Sequence, residues 1–294
     1  RVLHYLHYHR SFKTDYELAC MREANQIAVR AHKAAADAFL AGESEFGINL
    51  AYNLAAQQGE NDVPYTGIVA LNEHASILHY MIYDTAIPDE HRSFLIDAGA
   101  SCHGYASDIT RTYAKQAGAF ADLITEVDAL TLALIDELKP GVPYPVLQTK
   151  AHEGIGRILQ QAGIVNMSAE DCVAEGITKT FFPHGIGHFL GLQVHDVGGL
   201  VSDDRGTPCP APDDHPFLRC TRTVEAQQVF TVEPGLYFIE SLLADLKASE
   251  QSKFINWDTV AAFKPFGGIR IEDNVIVHRD RNENMTREAG LNKA

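Results

Sequence analysis

The sequence predicts an α+β fold in which helices pack on one side of an antiparallel sheet. Helical periodicity dominates the first 60 residues, and a hairpin pattern follows at 92–114. Runs rich in β-branched and aromatic residues return at 227–239 and 268–278. The order of elements is therefore helices, a strand hairpin, and then helices and strands again.

The elements of the first part can be placed from their local signals. Residues 15–42 have the apolar spacing of a long amphipathic helix, which Gly42 closes. Residues 43–60 predict a second helix, with Ser44 as its N-cap. Residues 65–80 predict a strand, a turn and a second strand.

The second part continues with a hairpin at 92–114, whose turn lies around 101–104. Residues 119–139 and 146–163 predict two more helices, separated by a Pro- and Gly-rich break. Residues 200–224, rich in Pro and Asp, predict a long loop, and loops of this length often serve as functional lids.

Composition excludes several classes of protein. Hydrophobic residues make up 46% and charged residues 21% of the 294 residues, which indicates a packed core rather than disorder. The net charge of −15 and the lack of a long basic run disfavour nucleic-acid binding. No apolar run approaches the length of a membrane span, so no membrane partner is expected. Five scattered cysteines without a CxxC pattern favour a reducing, cytoplasmic location.

Two acidic residues lie on the two arms of the predicted hairpin. If its midpoint falls near Cys102–His103, Asp97 and Asp108 face each other with Cβ atoms about 5 Å apart. Opposed like charges destabilise a sheet unless something offsets them, and a divalent cation is the obvious candidate. A different register, with one Asp facing solvent, remains the alternative.

Two further carboxylates lie inside apolar runs. Glu233 lies in "TVEPG" and Glu272 in "IRIEDN", with Arg270 on the same strand face two residues earlier. A carboxylate in such a run is costly unless it is paired or binds a metal. An exposed strand position is the alternative for each.

The stretch "HGIGHFLGLQVHD" contains His184, His188 and His195. The spacing of the first two would suit one face of a helix, but Gly185 and Gly187 each disfavour a helix by about 1 kcal/mol relative to Ala. The stretch also lacks the HExxH pattern of zinc peptidases. Glycines here fit a bend or a close approach of the backbone. Structural histidines remain the alternative to metal ligands.

Taken together, these motifs resemble the pita-bread metallopeptidases, the group of methionine aminopeptidase, aminopeptidase P and prolidase. The segments "HGIGHFLGLQVHDVGG", "HPFLRCTR", "TVEPGLYFIESLL" and "KPFGGIRIEDNVIV" look like the prolidases (Xaa-Pro dipeptidases), and most like the bacterial enzymes that include organophosphorus acid anhydrolases. The resemblance covers residues 15–280. It implies a curved antiparallel sheet with flanking helices and an internal pseudo-twofold repeat.

The resemblance also implies a ligand set for two divalent metal ions. Asp97 would hold one ion, Asp108 and Glu272 would bridge both, and His188 and Glu233 would hold the other. Mn²⁺ is the expected ion, and Co²⁺ or Zn²⁺ could substitute, because oxygen ligands with a single imidazole suit hard or borderline ions. The implied reaction is the cleavage of Xaa-Pro dipeptides by a metal-bridged hydroxide, with Glu233 as the acid/base.

Substrate residues follow from the same resemblance. Arg270 would bind the dipeptide carboxylate through a bidentate pair. His184 and His195 would hydrogen-bond the substrate and the developing oxyanion as catalytic groups. His79 would bind substrate, and Tyr144 and Leu218 would line the pocket, although both could equally be packing residues.

The expected domain organisation is an interdomain linker remnant at 1–14 and a catalytic domain at 15–294. The full-length parent is expected to carry a preceding domain and to form a homodimer. Two alternatives stay open: a metal-free creatinase-like amidinohydrolase, and a catalytically inactive binding module. Hydrolysis of organophosphate triesters is a further expected side activity.

Overall fold

Two three-stranded antiparallel sheets, one from each half of the chain, form the centre of the computed structural model, which describes residues 2–292. Their strand orders are β1-β2-β5 and β10-β9-β6, and the smaller pairs β3-β4 and β7-β8 extend them. The strands are β1 (Ile68–Leu71), β2 (Ser93–Asp97), β3 (Ser101–Cys102), β4 (Tyr105–Ala106), β5 (Thr110–Ala114), β6 (Val229–Val232), β7 (Gly235–Tyr237), β8 (Gly268–Arg270), β9 (Asp273–Val277) and β10 (Asn282–Asn284).

Helices flank these sheets and form the α+β fold that the sequence predicts. They are α1 (Val2–His9), α2 (Asp15–Ala41), α3 (Glu45–Ala56), α4 (Ala119–Glu137), α5 (Pro145–Gln161), α6 (Ala169–Ala174), α7 (Thr178–Phe181), α8 (Glu240–Ala248), α9 (Trp257–Phe263) and α10 (Met285–Glu288). Among residues 2–292, no helix has both the length and the apolar content needed to cross a bilayer.

The ends of α2 follow the predicted signals. Glu17 N–H donates to the Thr14 hydroxyl, and the Glu17 carboxylate accepts from Thr14 N–H at 2.7 Å, which forms a capping box. Gly42 ends the helix with φ +88°. Ser44 caps α3 as predicted, but α3 ends at Ala56, earlier than residue 60, because Gln57 adopts φ +55°.

The predicted strand–turn–strand at 65–80 is only half correct. The strand β1 is present, but Asn72, with φ +54°, begins a 3-10 turn at Asn72–Ser76, and residues 77–80 are irregular. The buried carboxylate of Glu45, the first residue of α3, holds this segment in place. Its oxygens accept from Leu71 N–H at 2.9 Å, His74 Nδ1 at 2.7 Å, the Tyr80 hydroxyl at 2.7 Å and Asp84 N–H at 3.0 Å.

The hairpin at 92–114 is confirmed, but its predicted register is wrong. Asp97 pairs with Thr110, not with Asp108. The reason is the turn, where His103 and Gly104 have φ +49° and +85° and thus form its two central residues. The hairpin is centred between His103 and Gly104, one position later than predicted. The partner of Asp97 is therefore two residues later than Asp108.

The two late strand regions are each interrupted at an acidic residue. Residues 227–239 divide into β6 and β7, with Glu233 in the gap, and residues 268–278 divide into β8 and β9, with Glu272 in the gap. Glu272 forms an isolated antiparallel bridge with Thr110, the first residue of β5. This bridge joins the two halves of the structure beside the predicted ligands.

The largest core lies under the second half of the chain. Helices α4 and α5, close to their predicted bounds, bury one face each against β6, β7 and β9. Burial of a large aliphatic side chain contributes about 1.5–3 kcal/mol. Residues 200–224 form an extended loop, as predicted. This packing gives the acidic strand breaks a rigid support.

Candidate metal centre

Three buried side chains from distant parts of the sequence meet where the two halves join. Candidate ligand atoms of Asp108, His188 and Glu272 all lie within 4.8 Å of one another. Nε2 of His188 is 3.4 Å from Oδ2 of Asp108. The side chains come from the segment after β4, the glycine-rich stretch and the break between β8 and β9.

The other two predicted ligands adjoin this group. Oε1 of Glu233 lies 3.6 Å from Nε2 of His188. The Tyr65 hydroxyl lies 2.8 Å from Oδ1 of Asp97 and 2.6 Å from Oδ1 of Asp108, so it joins the two carboxylates that the hairpin register does not pair. The structure thus brings all five predicted ligands into one connected cluster.

The glycines around His188 have a packing reason. A Cβ on Gly187 would lie 2.6 Å from the Tyr144 hydroxyl and would collide with the Thr231 carbonyl. A Cβ on Gly185 would lie 2.8 Å from the Phe217 carbonyl oxygen. The segment is irregular and not helical, as predicted, because its backbone runs against other backbone.

The orientation of His188 fits metal ligation. Its Nδ1–H donates to the Phe189 carbonyl at 2.9 Å, which leaves Nε2 as the ligand atom. In the neutral ring, the Nε2 lone pair then faces the carboxylates of Asp108 and Glu233. Such an arrangement is repulsive unless a proton or a cation lies between the groups.

The electrostatics of the carboxylates point the same way. Burial raises the pKa of Glu272 well above its usual value, and the charges of Asp108, Glu233 and Asp97 raise it further. Burial likewise raises the pKa of Glu233 to about 7, although His188 opposes this shift. Burial also raises the pKa of Asp97, against the opposing charge of Arg270.

The pKa values of Asp108 and His188 shift in opposite directions. Burial alone would raise the pKa of Asp108, but its hydrogen bond with His188 and the charge of that ring hold it below the usual value. Burial would lower the pKa of His188, but Asp108 and Glu233 raise it above the usual value. Four acids therefore converge only if positive charge is supplied, so the donor set fits divalent cations.

The other histidines occupy different positions around the cluster. The His195 ring meets the His188 ring edge to face, with centroids 4.4 Å apart, and burial and the charge of His188 lower its pKa to about 4. Burial and the charge of Arg270 lower the pKa of His184 to about 3. His79 is exposed, and when it is protonated it lowers the pKa of both rings.

His184 begins a hydrogen-bonded chain that leads to Asp97. Its Nδ1–H donates to the Gly185 carbonyl at 2.8 Å, so Nε2 accepts from the Tyr237 hydroxyl at 2.8 Å. Arg270 donates from Nη1 to the Tyr237 oxygen at 2.9 Å and from Nη2 to Oδ2 of Asp97 at 2.7 Å. Arg270 is only 5% exposed.

Arg270 and Glu272 lie on one face, as predicted, since both side chains contact the hydroxyl of Thr110. Nε of Arg270 donates to Oγ1 of Thr110 at 3.2 Å, and Thr110 donates to Oε2 of Glu272 at 2.6 Å. The Arg270 guanidinium thus points into the protein.

The structure favours the packing alternative that the sequence left open for Tyr144 and Leu218. Tyr144 is 0% and Leu218 2% exposed, and both belong to the main hydrophobic core. The Tyr144 ring stacks on Phe230, with centroids 4.9 Å apart, and its hydroxyl donates to the Thr231 carbonyl at 3.4 Å. Both side chains therefore support the walls of the site by packing behind them.

Sequence reasoning missed four residues that position the cluster, namely Tyr65, Thr110, Tyr237 and Asn274. The Asn274 side chain accepts from Asp108 N–H at 2.9 Å and donates to the Asp108 carbonyl. A usable signal exists only for the last three, since each is a polar residue of a strand that begins one or two residues after a predicted ligand.

Fold and site together define a metallopeptidase of the pita-bread type. The family model "Metallopeptidase family M24" matches residues 19–279, and the chain belongs to that family. It is 65% identical to an Xaa-Pro dipeptidase of Pseudoalteromonas atlantica and 58% identical to one of Shewanella denitrificans, in each case over 99% of this chain. The chain spans 67% and 66% of these curated relatives, about two thirds of their length.

Solved structures confirm the fold class. Aminopeptidase PepP of Pseudomonas aeruginosa has a TM-score of 0.78 and 28% identity, with 98% of this chain and 59% of that chain covered. Aminopeptidase P of Escherichia coli with the inhibitor Pro-Leu has a TM-score of 0.73 and 28% identity, with 97% of this chain and 58% of that chain covered.

Proposed function

We propose that this chain carries the catalytic site of a metal-dependent Xaa-Pro dipeptidase. The observation that carries the proposal is the convergence of Asp108, His188 and Glu272, adjoined by Glu233 and Asp97. The printed names of the curated relatives support the substrate class.

The proposed cofactors are two divalent ions, with Mn²⁺ as the first choice because carboxylate oxygens outnumber the single imidazole. Asp97 would hold one ion, His188 and Glu233 the other, and Asp108 and Glu272 both. When bound, such ions lower the pKa of water towards neutrality and polarise a carbonyl group.

Glu233 is the proposed proton carrier. Burial raises the pKa of its carboxyl to about 7 in the absence of metal ions, and its place in the ligand cluster would put it next to the water that the ions hold, where a general acid/base must be. Its side chain is 17% exposed, so one edge of it reaches the open side of the site. It would accept a proton from water and pass it to the leaving proline nitrogen.

The two catalytic histidines receive different roles in this proposal. Both nitrogens of His184 are engaged, so we assign it to holding the Tyr237 hydroxyl. His195 is partly covered but keeps exposed surface and lies against His188, so it is the histidine that would hydrogen-bond the substrate carbonyl or the oxyanion. His79, exposed near both rings, would bind the substrate from the opposite loop.

We propose a positioning role for Arg270 in place of the predicted carboxylate clamp. Its guanidinium is buried and donates to Asp97, Tyr237 and Thr110. An arginine so engaged fixes the direction of the Asp97 carboxylate at the metal centre.

Dipeptide hydrolysis tests the proposal. The purified chain with Mn²⁺ is expected to cleave Leu-Pro, to lose activity after exhaustive chelation and to regain it on addition of Mn²⁺. Full activity after chelation would indicate the metal-free alternative. A chain that binds the metal and cleaves no Xaa-Pro dipeptide, also when extended to the length of its relatives, would indicate the inactive binding module.

The same metal chemistry extends the proposal to organophosphate triesters, because an activated water attacks phosphorus much as it attacks a carbonyl carbon. Turnover of a fluorophosphate by the wild type and by Asp108→Asn tests it. Equal rates would exclude the metal centre as its source. The homodimer and the cytoplasmic location remain predictions.

A further inference from the structure

A buried ion-pair cluster lies directly beside His195. The side chain of Asp196 is 1% exposed, and Oδ2 accepts from Nζ of Lys13 at 3.1 Å. Oδ1 accepts from Nε of Arg10 at 3.0 Å, and Nη2 of Arg10 also contacts it. Two cations from the segment between α1 and α2 therefore hold one carboxylate in the segment after His188.

The cluster is closely packed and costly to form. Burial lowers the pKa of Lys13, which is 2% exposed, and Asp196 opposes that shift. A Cβ on Gly191 would lie 3.0 Å from Nζ of Lys13 and would collide with the Asp196 carboxylate. Buried ion pairs add little net stability over apolar packing, but they fix a defined geometry in some proteins.

The backbone of Asp196 connects the cluster to the metal centre. Its N–H donates to the Phe189 carbonyl at 3.0 Å, which closes the loop 189–196. The same carbonyl accepts from Nδ1 of His188 at 2.9 Å. His195, the residue before Asp196, lies with its ring against His188.

We propose that Asp196, held by Lys13 and Arg10, is a positioning residue that sets the His195 ring over the metal site. The proposal rests on the proposed function for its catalytic consequence. It makes residues 10–13 part of the active-site framework, beyond the linker role predicted for 1–14. Without the charge of Lys13 or of Asp196, the backbone hydrogen bond still closes the loop 189–196, but the side chain of His195 is no longer held in one orientation.

A double-mutant cycle with Leu-Pro as the substrate tests the catalytic consequence. Asp196→Asn is expected to lower kcat about tenfold or more in the wild type, but less than about twofold in the His195→Ala background, because coupled sites are not additive. Equal losses in both backgrounds would overturn the proposal. Glu283→Gln is the matched control, since the Arg22–Glu283 pair joins α2 to β10 away from this loop and should leave kcat unchanged.

A spectroscopic readout separates this inference from the proposed function. The imidazole NMR signals of His195 in the Zn²⁺-loaded protein, assigned through His195→Ala, are expected to shift or broaden in both Lys13→Met and Asp196→Asn, and to stay unchanged in Glu283→Gln. Lys13→Met keeps the test valid if Asp196→Asn fails to fold. Unchanged His195 signals in a folded variant would overturn the positioning role. Absence of dipeptide cleavage by the wild type would instead contradict only the proposed function.

Discussion

Nη2 of Arg270 lies 2.7 Å from Oδ2 of Asp97, and this ion pair is largely buried. It joins a residue of β8 to the last residue of β2, across the junction of the two halves of the chain. The pair neutralises one carboxylate of the cluster and orients it through a fixed guanidinium plane. Arg270 thereby orients one carboxylate of the candidate metal centre.

Arg270→Lys is therefore expected to lower kcat and Mn²⁺ affinity, with little change of KM for Leu-Pro. Lysine keeps the charge but loses the planar fork that contacts Asp97, Tyr237 and Thr110 together. Loss of an outer-shell partner typically costs about 10–100-fold in metal affinity or activity. Steady-state kinetics and metal titration measure both quantities. A large rise of KM with unchanged metal affinity would restore the carboxylate-clamp interpretation.

Alanine variants of the three histidines in the glycine-rich stretch should differ in the amount of metal they bind. His188→Ala is expected to lose bound metal, because Nε2 of His188 faces Asp108 and Glu233 at 3.4 and 3.6 Å. His184→Ala and His195→Ala should retain the metal and lose rate. Metal analysis of the purified variants, beside kcat, decides the matter. A metal-free His184→Ala protein would contradict the assignment of His188 as the only imidazole ligand.

Three of the candidate ligands stand out in the sequence because each breaks a local rule, whereas the full set of five follows only from the resemblance to a family. Glu233 and Glu272 are acids in apolar runs, and two glycines interrupt the helical spacing around His188. The hairpin register could not be derived, because it depends on the left-handed backbone at His103. Nor could the role of Tyr65, since no local pattern indicates that its hydroxyl would join two aspartates from the hairpin.

In the chelated protein, deprotonation of the Glu233 carboxyl should lower the free energy of unfolding as the pH rises from 5 to 8. Burial raises the pKa of this group from 4.5 to about 7, so the fold favours its protonated form. Its contribution is fully present below pH 4.5 and is lost as the pH rises through about 7. The maximum loss is about 3 kcal/mol.

Other groups titrate in the same range, so the measurement is the difference between wild type and Glu233→Gln in urea unfolding at both pH values. Glutamine stays neutral and should remove the dependence that Glu233 contributes. Identical pH dependence of the unfolding free energy in the two chelated proteins would show that the pKa of the Glu233 carboxyl is not raised.

Glu45→Gln should destabilise the segment that carries His79. The Glu45 carboxylate accepts from Leu71, His74, Tyr80 and Asp84, and glutamine replaces one acceptor oxygen by a donor. Each buried group left without its partner costs about 1–3 kcal/mol. Urea unfolding should show the loss, and amide hydrogen exchange should increase at residues 71–84. Glu73→Gln, at an exposed position of the same segment, is the control, and equal exchange in both variants would contradict the anchoring role.

Gly187→Ala should be the most damaging single-methyl change near His188. The added Cβ would lie 2.6 Å from the Tyr144 hydroxyl and would collide with the Thr231 carbonyl, so the strand β6 or the ligand segment must move. Overpacking of this kind costs about 1–3 kcal/mol, and here it also displaces Nε2 of His188 from Asp108. Thermal unfolding and metal content should both fall. Gly59→Ala, where the nearest atom would be Asp62 Oδ2 at an ordinary 3.5 Å, is the control and should change neither. A Gly187→Ala protein with wild-type metal content and stability would show that the segment tolerates a side chain, and that the glycine is not required by the close backbone approach.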